Sequence, residues 1–215
     1  MRIILIVSLA LSSIGAIDPI TIDKHPPTTQ RVVVENPATT PSRTDANRAT
    51  EDAWCQFFFN CSVKLKYEVT DRRPVRKGSD MVAVTAQIKR IDVTLTLQDT
   101  LFLPKHCTEK LNAHENGHRR INERVYENAE DAARTAARAV IAKSWQGWGP
   151  DEDAAGKDAT DKAVKELCDQ YLNATAERAL RIGRIYDEIT NHGRKMKPSE
   201  DEAIEQALAK DGEKH

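Results

Sequence analysis

The stretch LFLPKHCTEKLNAHENGHRRI, residues 101–121, decides the fold because the pattern of apolar residues changes within it. Up to Pro104 the apolar residues alternate with polar ones, which is typical of half-buried strands. From Thr108 onward they recur every three or four residues, which is typical of an amphipathic helix. The sequence therefore predicts a β region that ends near Pro104 and a helix that begins near Thr108.

The predicted helix contains an HExxH signature, His114-Glu115-Asn116-Gly117-His118. Residues four apart lie one turn above each other on a helix, so both imidazoles point the same way and can hold one Zn²⁺. Glu115, one step round the helix, is placed to act as general base on a metal-bound water. The motif predicts a zinc-dependent hydrolase, with a peptide or protein as the expected substrate.

Three alternating segments precede the motif and predict a small antiparallel sheet of three or four strands. Residues 63–69 and 82–88 each alternate apolar and polar side chains. Residues 91–97 alternate with the opposite parity, so a turn or bulge is expected near Lys89 and Arg90.

Two long helices are predicted after the sheet. Helical spacing continues from Thr108 to about Ala142, and the sequence WQGWGP, residues 145–150, then interrupts it. A second helix is expected over about residues 159–190. The predicted fold class is therefore α+β, with a small antiparallel sheet followed by a long antiparallel helical hairpin that carries the HExxH zinc site.

Composition divides the chain into four predicted parts. These are a signal peptide (residues 1–16), a Pro- and Thr-rich linker (17–52), a catalytic domain (53–193) and a charged helical tail (194–215). The first part begins with a positively charged residue, continues with a short apolar segment and ends with small residues, which is typical of a signal peptide. Cleavage is therefore expected after Ala16. Its apolar run is shorter than the ~20 residues that a membrane span needs. The protein is expected to be secreted or periplasmic, without a membrane span.

Charge is nearly balanced along the chain. The 215 residues include 32 Lys and Arg against 33 Asp and Glu, which gives a formal net charge of −1. This balance offers no large basic field, so nucleic acid is not an expected partner.

Four cysteines, an even number in a chain that is expected to be exported, predict disulfide bonds. Three pairings are possible. We favour Cys55–Cys61 as a local loop and Cys107–Cys168 as a clamp between the two long helices. The second bond requires these helices to cross steeply or the later one to bend, for example near Gly183. Cysteine ligation of zinc is disfavoured because no C-x-x-C spacing occurs.

A hydrolytic zinc site needs a third protein ligand and an open position for water. No Gly-x-x-His follows His118, which excludes the metzincin arrangement. The segment YDEITNHG, residues 186–193, offers three ligands and a phenol that can donate to an oxyanion: Asp187, Glu188, His192 and Tyr186. His106 is a rival imidazole, but it precedes the helix that carries the motif.

The segments LNAHENGHRRI, residues 111–121, and YDEITNHG, residues 186–193, resemble a bacterial family of predicted secreted zinc-dependent proteases. In that family an HExGH helix follows a strand ending in Leu-Pro, and a later helix closes with a Tyr-Asp…Thr-x-His-Gly segment. The matching positions are Leu103, Pro104, His114, Glu115, Gly117, His118, Tyr186, Asp187, Thr190, His192 and Gly193.

This resemblance covers roughly residues 63–193. It departs at Arg119 and Arg120, where an aromatic or acidic residue often follows the second metal histidine. The resemblance implies that the later segment is functional. We expect His192 to be the third zinc ligand, with Asp187 as the alternative. The two are five residues apart and diverge on an unbroken helix, so only one of them is expected to bind the metal.

Two other functions fit the same sequence. The first is an exported, non-catalytic zinc-binding or envelope interaction protein built on the Ala-rich helical hairpin. The second is a zinc hydrolase that acts on cell-wall amide or ester bonds. Glu115 discriminates the first from a peptidase, since zinc binding alone does not need a carboxylate between the two histidines.

Overall fold

The computed structural model describes residues 18–35, 53–76, 80–195 and 197–213. In chain order its elements are β1 (Ile20–Lys24), β2 (Thr28–Val34), β3 (Trp54–Pro74), β4 (Val82–Pro104), α1 (Glu109–Glu127), α2 (Ala129–Ile141), β5 (Ser144–Gly149), α3 (Glu152–Ala174), α4 (Ala176–Thr190) and α5 (Glu200–Gly212).

The 23-residue strand β4 organises the sheet. Along one edge it pairs antiparallel with β3 over nearly its whole length. Three shorter strands share its other edge in succession: β5 runs antiparallel to its start, and β1 and β2 run parallel to its middle and its end. The sheet is therefore mixed and three strands wide along most of its length.

A β-bulge lies in β4 where the sequence predicts a turn or bulge. Lys66 pairs with Arg90 and Tyr67 pairs with Ile88, so Lys89 is the extra residue on β4. The extra residue changes the parity of the strand, and the apolar residues before and after it are therefore buried on the same face. The helices pack on this face and form the core with it.

The predicted fold class is wrong. The sheet is a mixed five-stranded one, and its two parallel strands β1 and β2 come from the segment that was expected to be a linker. The predicted helical hairpin is divided by β5, which pairs with β4, and each of its long helices is broken, at Asn128 and at Thr175. These breaks let α2 pack on α3 while α1 packs on α4, so the helices cover the sheet as four separate elements.

The helix α1 begins where the sequence predicts. Thr108 is its N-cap, and the Thr108 side chain accepts a hydrogen bond from the backbone N–H of Leu111. This bond satisfies one of the free N–H groups of the first turn. The HExxH motif therefore lies on a helix, as predicted.

The tail helix α5 is part of the core. It begins with a capping box between Ser199 and Glu202, and it buries Ala203, Ile204 and Ala207 against the other helices. The charged tail expected over residues 194–215 therefore packs on the expected catalytic domain.

Several expectations fall outside the described residues. The predicted signal peptide, residues 1–16, and residues 36–52 of the predicted linker are among them. Among the helices that the structure describes, none is both long and apolar enough to cross a membrane.

Candidate metal centre

Helix α1 presents two imidazoles to helix α4. His114 and His118 lie one turn apart, with ring centroids separated by 4.9 Å. His114 is buried and His118 is largely buried. Both rings therefore lie on the same face of α1, as the HExxH spacing predicts.

Asp187 on α4 completes a cluster of three donors. Its Oδ1 atom lies 2.8 Å from Nε2 of His118 and 3.3 Å from Nε2 of His114. The three ligand atoms all lie within 4.8 Å of one another. Tetrahedral zinc binds such ligands at ~2.0–2.1 Å, which places ligand atoms ~3.3 Å apart. Two imidazoles and one carboxylate at this spacing can hold a metal ion and leave a coordination position open.

The histidines keep Asp187 ionised. Burial is the largest single influence and raises the pKa of its carboxyl, but the charges and hydrogen bonds of His118 and His114 together outweigh it. The net result is a pKa well below the usual range of an aspartate. The carboxylate is therefore in the form that a metal requires.

Thr190 orients the first histidine. Its hydroxyl donates to the carbonyl oxygen of Tyr186 (2.8 Å) and lies 3.4 Å from Nδ1 of His114. A neutral His114 that carries its proton on Nδ1 can donate it to this hydroxyl, which leaves the Nε2 lone pair facing Asp187. Such a hydrogen bond fixes the tautomer and the ring orientation of a metal-binding histidine.

The chain turns sharply after α4 and returns over His114. Asn191, His192 and Gly193 all have positive φ, at 50°, 52° and 71°. A Cβ atom on Gly193 would lie 2.9 Å from Cβ and Cγ of His114, so this approach requires glycine.

The same turn moves His192 to the rim of the site. Its side chain is 53% exposed, and its Nδ1 lies 4.0 Å from Oδ1 of Asp187. The cluster of convergent donors therefore contains the predicted alternative ligand, Asp187, and His192 is not a member of it. Glu188 and His106, the other ligands considered from the sequence, are exposed and also lie outside this cluster.

The ring of Tyr186 packs against both histidines. It stacks on His114 and meets His118 edge-on, each at 5.1 Å between centroids. The side chain is fully buried, and its hydroxyl donates to the carbonyl oxygen of His114 (3.5 Å). Burial raises its pKa well above the usual range. These contacts favour a role in positioning the histidines over the predicted role as an oxyanion donor, which requires access to substrate.

Gly117 makes room for this tyrosine. A Cβ atom at position 117 would lie 2.2 Å from the Tyr186 hydroxyl oxygen. The glycine in the middle of the motif thus has a packing function, because any side chain there would displace the ring that supports both histidines.

Glu115, the predicted general base, is only 4% exposed. Its carboxylate lies close enough to Tyr186 and Cys107 for its charge to contribute to their raised pKa values.

Two acidic residues near the site, Asp99 and Glu200, were not predicted from the sequence. Asp99 on β4 is fully buried and accepts a hydrogen bond from Asn122, which is one turn beyond His118 on α1 (2.7 Å). Glu200, in the first turn of α5, lies close enough to His114, Arg120 and Tyr186 to interact with their charges. Both are non-local neighbours that helical or strand periodicity does not reveal.

Neither predicted disulfide is formed, and none of the four cysteines is disulfide-bonded. Cys55 and Cys61 lie six residues apart on the extended strand β3, roughly 20 Å, whereas a disulfide needs Cα atoms within about 7 Å. Cys168 contacts Cys61, whose partner on β4 is Leu95, while Cys107 follows the end of that strand roughly 30 Å further along. The structure therefore opposes both pairings.

Comparison with known proteins identifies no relative of this chain. No protein-family description, no curated protein and no solved structure matches the chain.

Proposed function

We propose that this protein is a zinc-dependent peptidase whose metal ligands are His114, His118 and Asp187. The observation that carries the proposal is the convergence of two imidazole nitrogens and one ionised carboxylate, with the buried Glu115 beside the first histidine. Imidazole and carboxylate ligands at three positions, with a fourth left open, are typical of catalytic zinc sites.

A zinc ion held by these three ligands would lower the pKa of a bound water to about 7 and would polarise a substrate carbonyl. The residues of this chain supply the remainder of the chemistry. Glu115 takes the proton from the attacking water and later delivers it to the leaving amine, which is general acid–base catalysis by one carboxylate.

Positioning is the task of the surrounding residues. Thr190 and Tyr186 hold His114 through its Nδ1 atom and its ring face, and Gly117 provides the space that Tyr186 occupies. A site held in this way needs little rearrangement when a metal binds, which favours tight binding.

The strand β2 is the surface on which we propose that an extended peptide binds. Within the described part of the chain β2 pairs only with β4, so its other edge is open. Arg31 on β2 donates to Asn112 on α1 (3.4 Å), and Val33, two residues further along β2, is 66% exposed. A peptide added to this edge would run beside the metal-binding helix.

A second candidate function is a non-catalytic metal site that holds α1 and α4 together. The specific observation in its favour is that the three ligand side chains are at most 17% exposed, which is typical of structural metal sites. The carboxylate of Glu115 separates the two candidates, since a structural site does not need it.

The deciding experiment measures zinc content and peptidase activity for the wild type, Glu115→Gln and the control Glu109→Gln. Glu109 is exposed in the first turn of the same helix, so its substitution tests the loss of one negative charge alone. We expect about one zinc per chain in all three proteins. We expect Glu115→Gln to lower turnover of an unfolded protein substrate by at least about 100-fold.

Full turnover in zinc-loaded Glu115→Gln would contradict the mechanism. Wild-type protein that takes up no zinc on reconstitution would contradict the peptidase proposal and the structural metal site together. Bound zinc without hydrolysis of any peptide would favour the structural metal site.

A further inference from the structure

Two cysteines that are 107 positions apart in the sequence meet between the sheet and the helices. Cys61 lies on β3 and Cys168 lies on α3. The Cys168 thiol donates to the carbonyl oxygen of Cys61 (3.3 Å), and the two thiols lie close enough for each to shift the pKa of the other. This contact places the Cys168 sulfur against the backbone of Cys61, so the two side chains are neighbours across the interface between β3 and α3.

We propose that Cys61 and Cys168 form a disulfide bond by exchange with an external disulfide. Both side chains are partly exposed, so a reagent in solution can reach them. Cys55 and Cys107, the other two thiols, do not belong to this pair, because Cys55 is buried beside Asp99 and Cys107 follows the end of β4.

The exchange takes place in two steps. The Cys168 thiolate attacks one sulfur of the external disulfide and expels the first thiolate, which forms a mixed disulfide. The Cys61 thiolate then attacks the Cys168 sulfur and expels the second. Two S–H bonds break and one S–S bond forms, while the external disulfide accepts two electrons and two protons and leaves as two thiols.

The environment of the pair sets the order of these steps. The Cys61 side chain hydrogen-bonds to the Cys168 sulfur, and this bond lowers the pKa of Cys168. The same bond, with burial, raises the pKa of Cys61. Cys168 therefore has the greater thiolate fraction and attacks first.

The bond would connect the sheet to the helical layer. The loop that it closes contains β4, α1, α2 and β5, and with them His114 and His118, whereas Asp187 lies outside the loop. Closing a loop of this length restricts the unfolded chain strongly, so the oxidised protein is expected to resist unfolding more than the reduced protein.

The test is peptide mapping of the full chain after incubation with glutathione disulfide and alkylation of the remaining thiols. Trypsin leaves Cys55 and Cys61 on one peptide, so chymotrypsin is added to cleave after Phe57, Phe58 or Phe59. We expect a linked peptide that contains Cys61 and Cys168, with Cys55 and Cys107 alkylated.

Reduction of the linked protein is expected to lower its Tm by roughly 5–15 °C. Cys61→Ser and Cys168→Ser should each abolish this difference, and the matched control Cys107→Ser should retain it. Alkylation of both Cys61 and Cys168, a stable mixed disulfide of either with glutathione, or linkage of Cys61 to any other cysteine would overturn the proposal. The mapping uses wild-type protein and is independent of metal binding and of turnover.

Discussion

Two largely buried aspartates contact successive turns of the same helix, and their pKa values are shifted in opposite directions. Asp187 meets His114 and His118, and its pKa is held well below the usual range. Asp99 meets Asn122, one turn further along α1, and burial raises its pKa to about 6. Burial disfavours the charged form of both carboxyls, so the difference lies in the partner.

The comparison shows which of the two carboxylates is suited to a metal. An imidazole can carry a positive charge and stabilise an ionised carboxylate, whereas a single amide offers one neutral hydrogen bond. The Oδ2 atom of Asp99 has no hydrogen-bond partner among the described residues. Asp187 is therefore suited to bind a cation, while Asp99 is a buried acid whose ionised form is disfavoured relative to an aspartate in water.

The largest expected effect is that of Asp187→Asn. The amide has nearly the same shape but lacks the charge that a zinc ligand needs, so we expect zinc affinity to fall by more than about 100-fold. Competition with a chelator of known affinity measures the change. Asp99→Asn, which removes the other buried carboxylate, and His192→Ala should each leave zinc affinity within a few-fold of the wild type.

The same series identifies the third ligand. Zinc that is retained in Asp187→Asn but lost in His192→Ala would assign the role to His192 and would mean that the turn after α4 rearranges on metal binding.

Local features of the fold were predictable from the sequence because local signals encode them. The start of α1 follows from the capping residue Thr108 and the helical period, and the bulge at Lys89 follows from the change of parity in β4. The side-by-side placement of the two imidazoles is a consequence of the same period.

The remaining features depend on contacts that are distant in sequence. β1 and β2 lie in a Pro- and Thr-rich segment, and only their pairing with β4 makes them strands. The choice between Asp187 and His192 depends on where α4 ends, and the left-handed conformation at Asn191 turns His192 away. Neither the pairing nor the turn leaves a periodic pattern that a single sequence reveals.

A smaller effect is expected from Asp99→Asn, on stability and its dependence on pH. The folded pKa of about 6 exceeds the ordinary value of 3.8, so the wild type loses stability as pH rises from about 4 to about 6. The variant keeps the hydrogen bond from Asn122 but has no carboxyl to ionise, so its stability does not fall over this pH range. Above pH 6 it should be more stable than the wild type by roughly 1–3 kcal/mol. Urea unfolding of both proteins at pH 4, 5 and 7 measures the difference. Parallel stability curves would contradict a raised pKa for Asp99.

The smallest expected effect is that of Thr190→Val. This variant tests whether the Thr190 hydroxyl raises zinc affinity by orienting His114. Valine keeps the volume but removes the hydroxyl that lies 3.4 Å from Nδ1 of His114. Because this contact is long, we expect zinc affinity to fall by about tenfold, the lower end of the range for residues that orient a ligand. The matched control is Thr160→Val on α3, where the hydroxyl also bonds to the carbonyl oxygens of its own helix but touches no ligand. An equal loss in both variants would assign the effect to helix stability, and a loss confined to Thr190→Val would assign it to the orientation of His114.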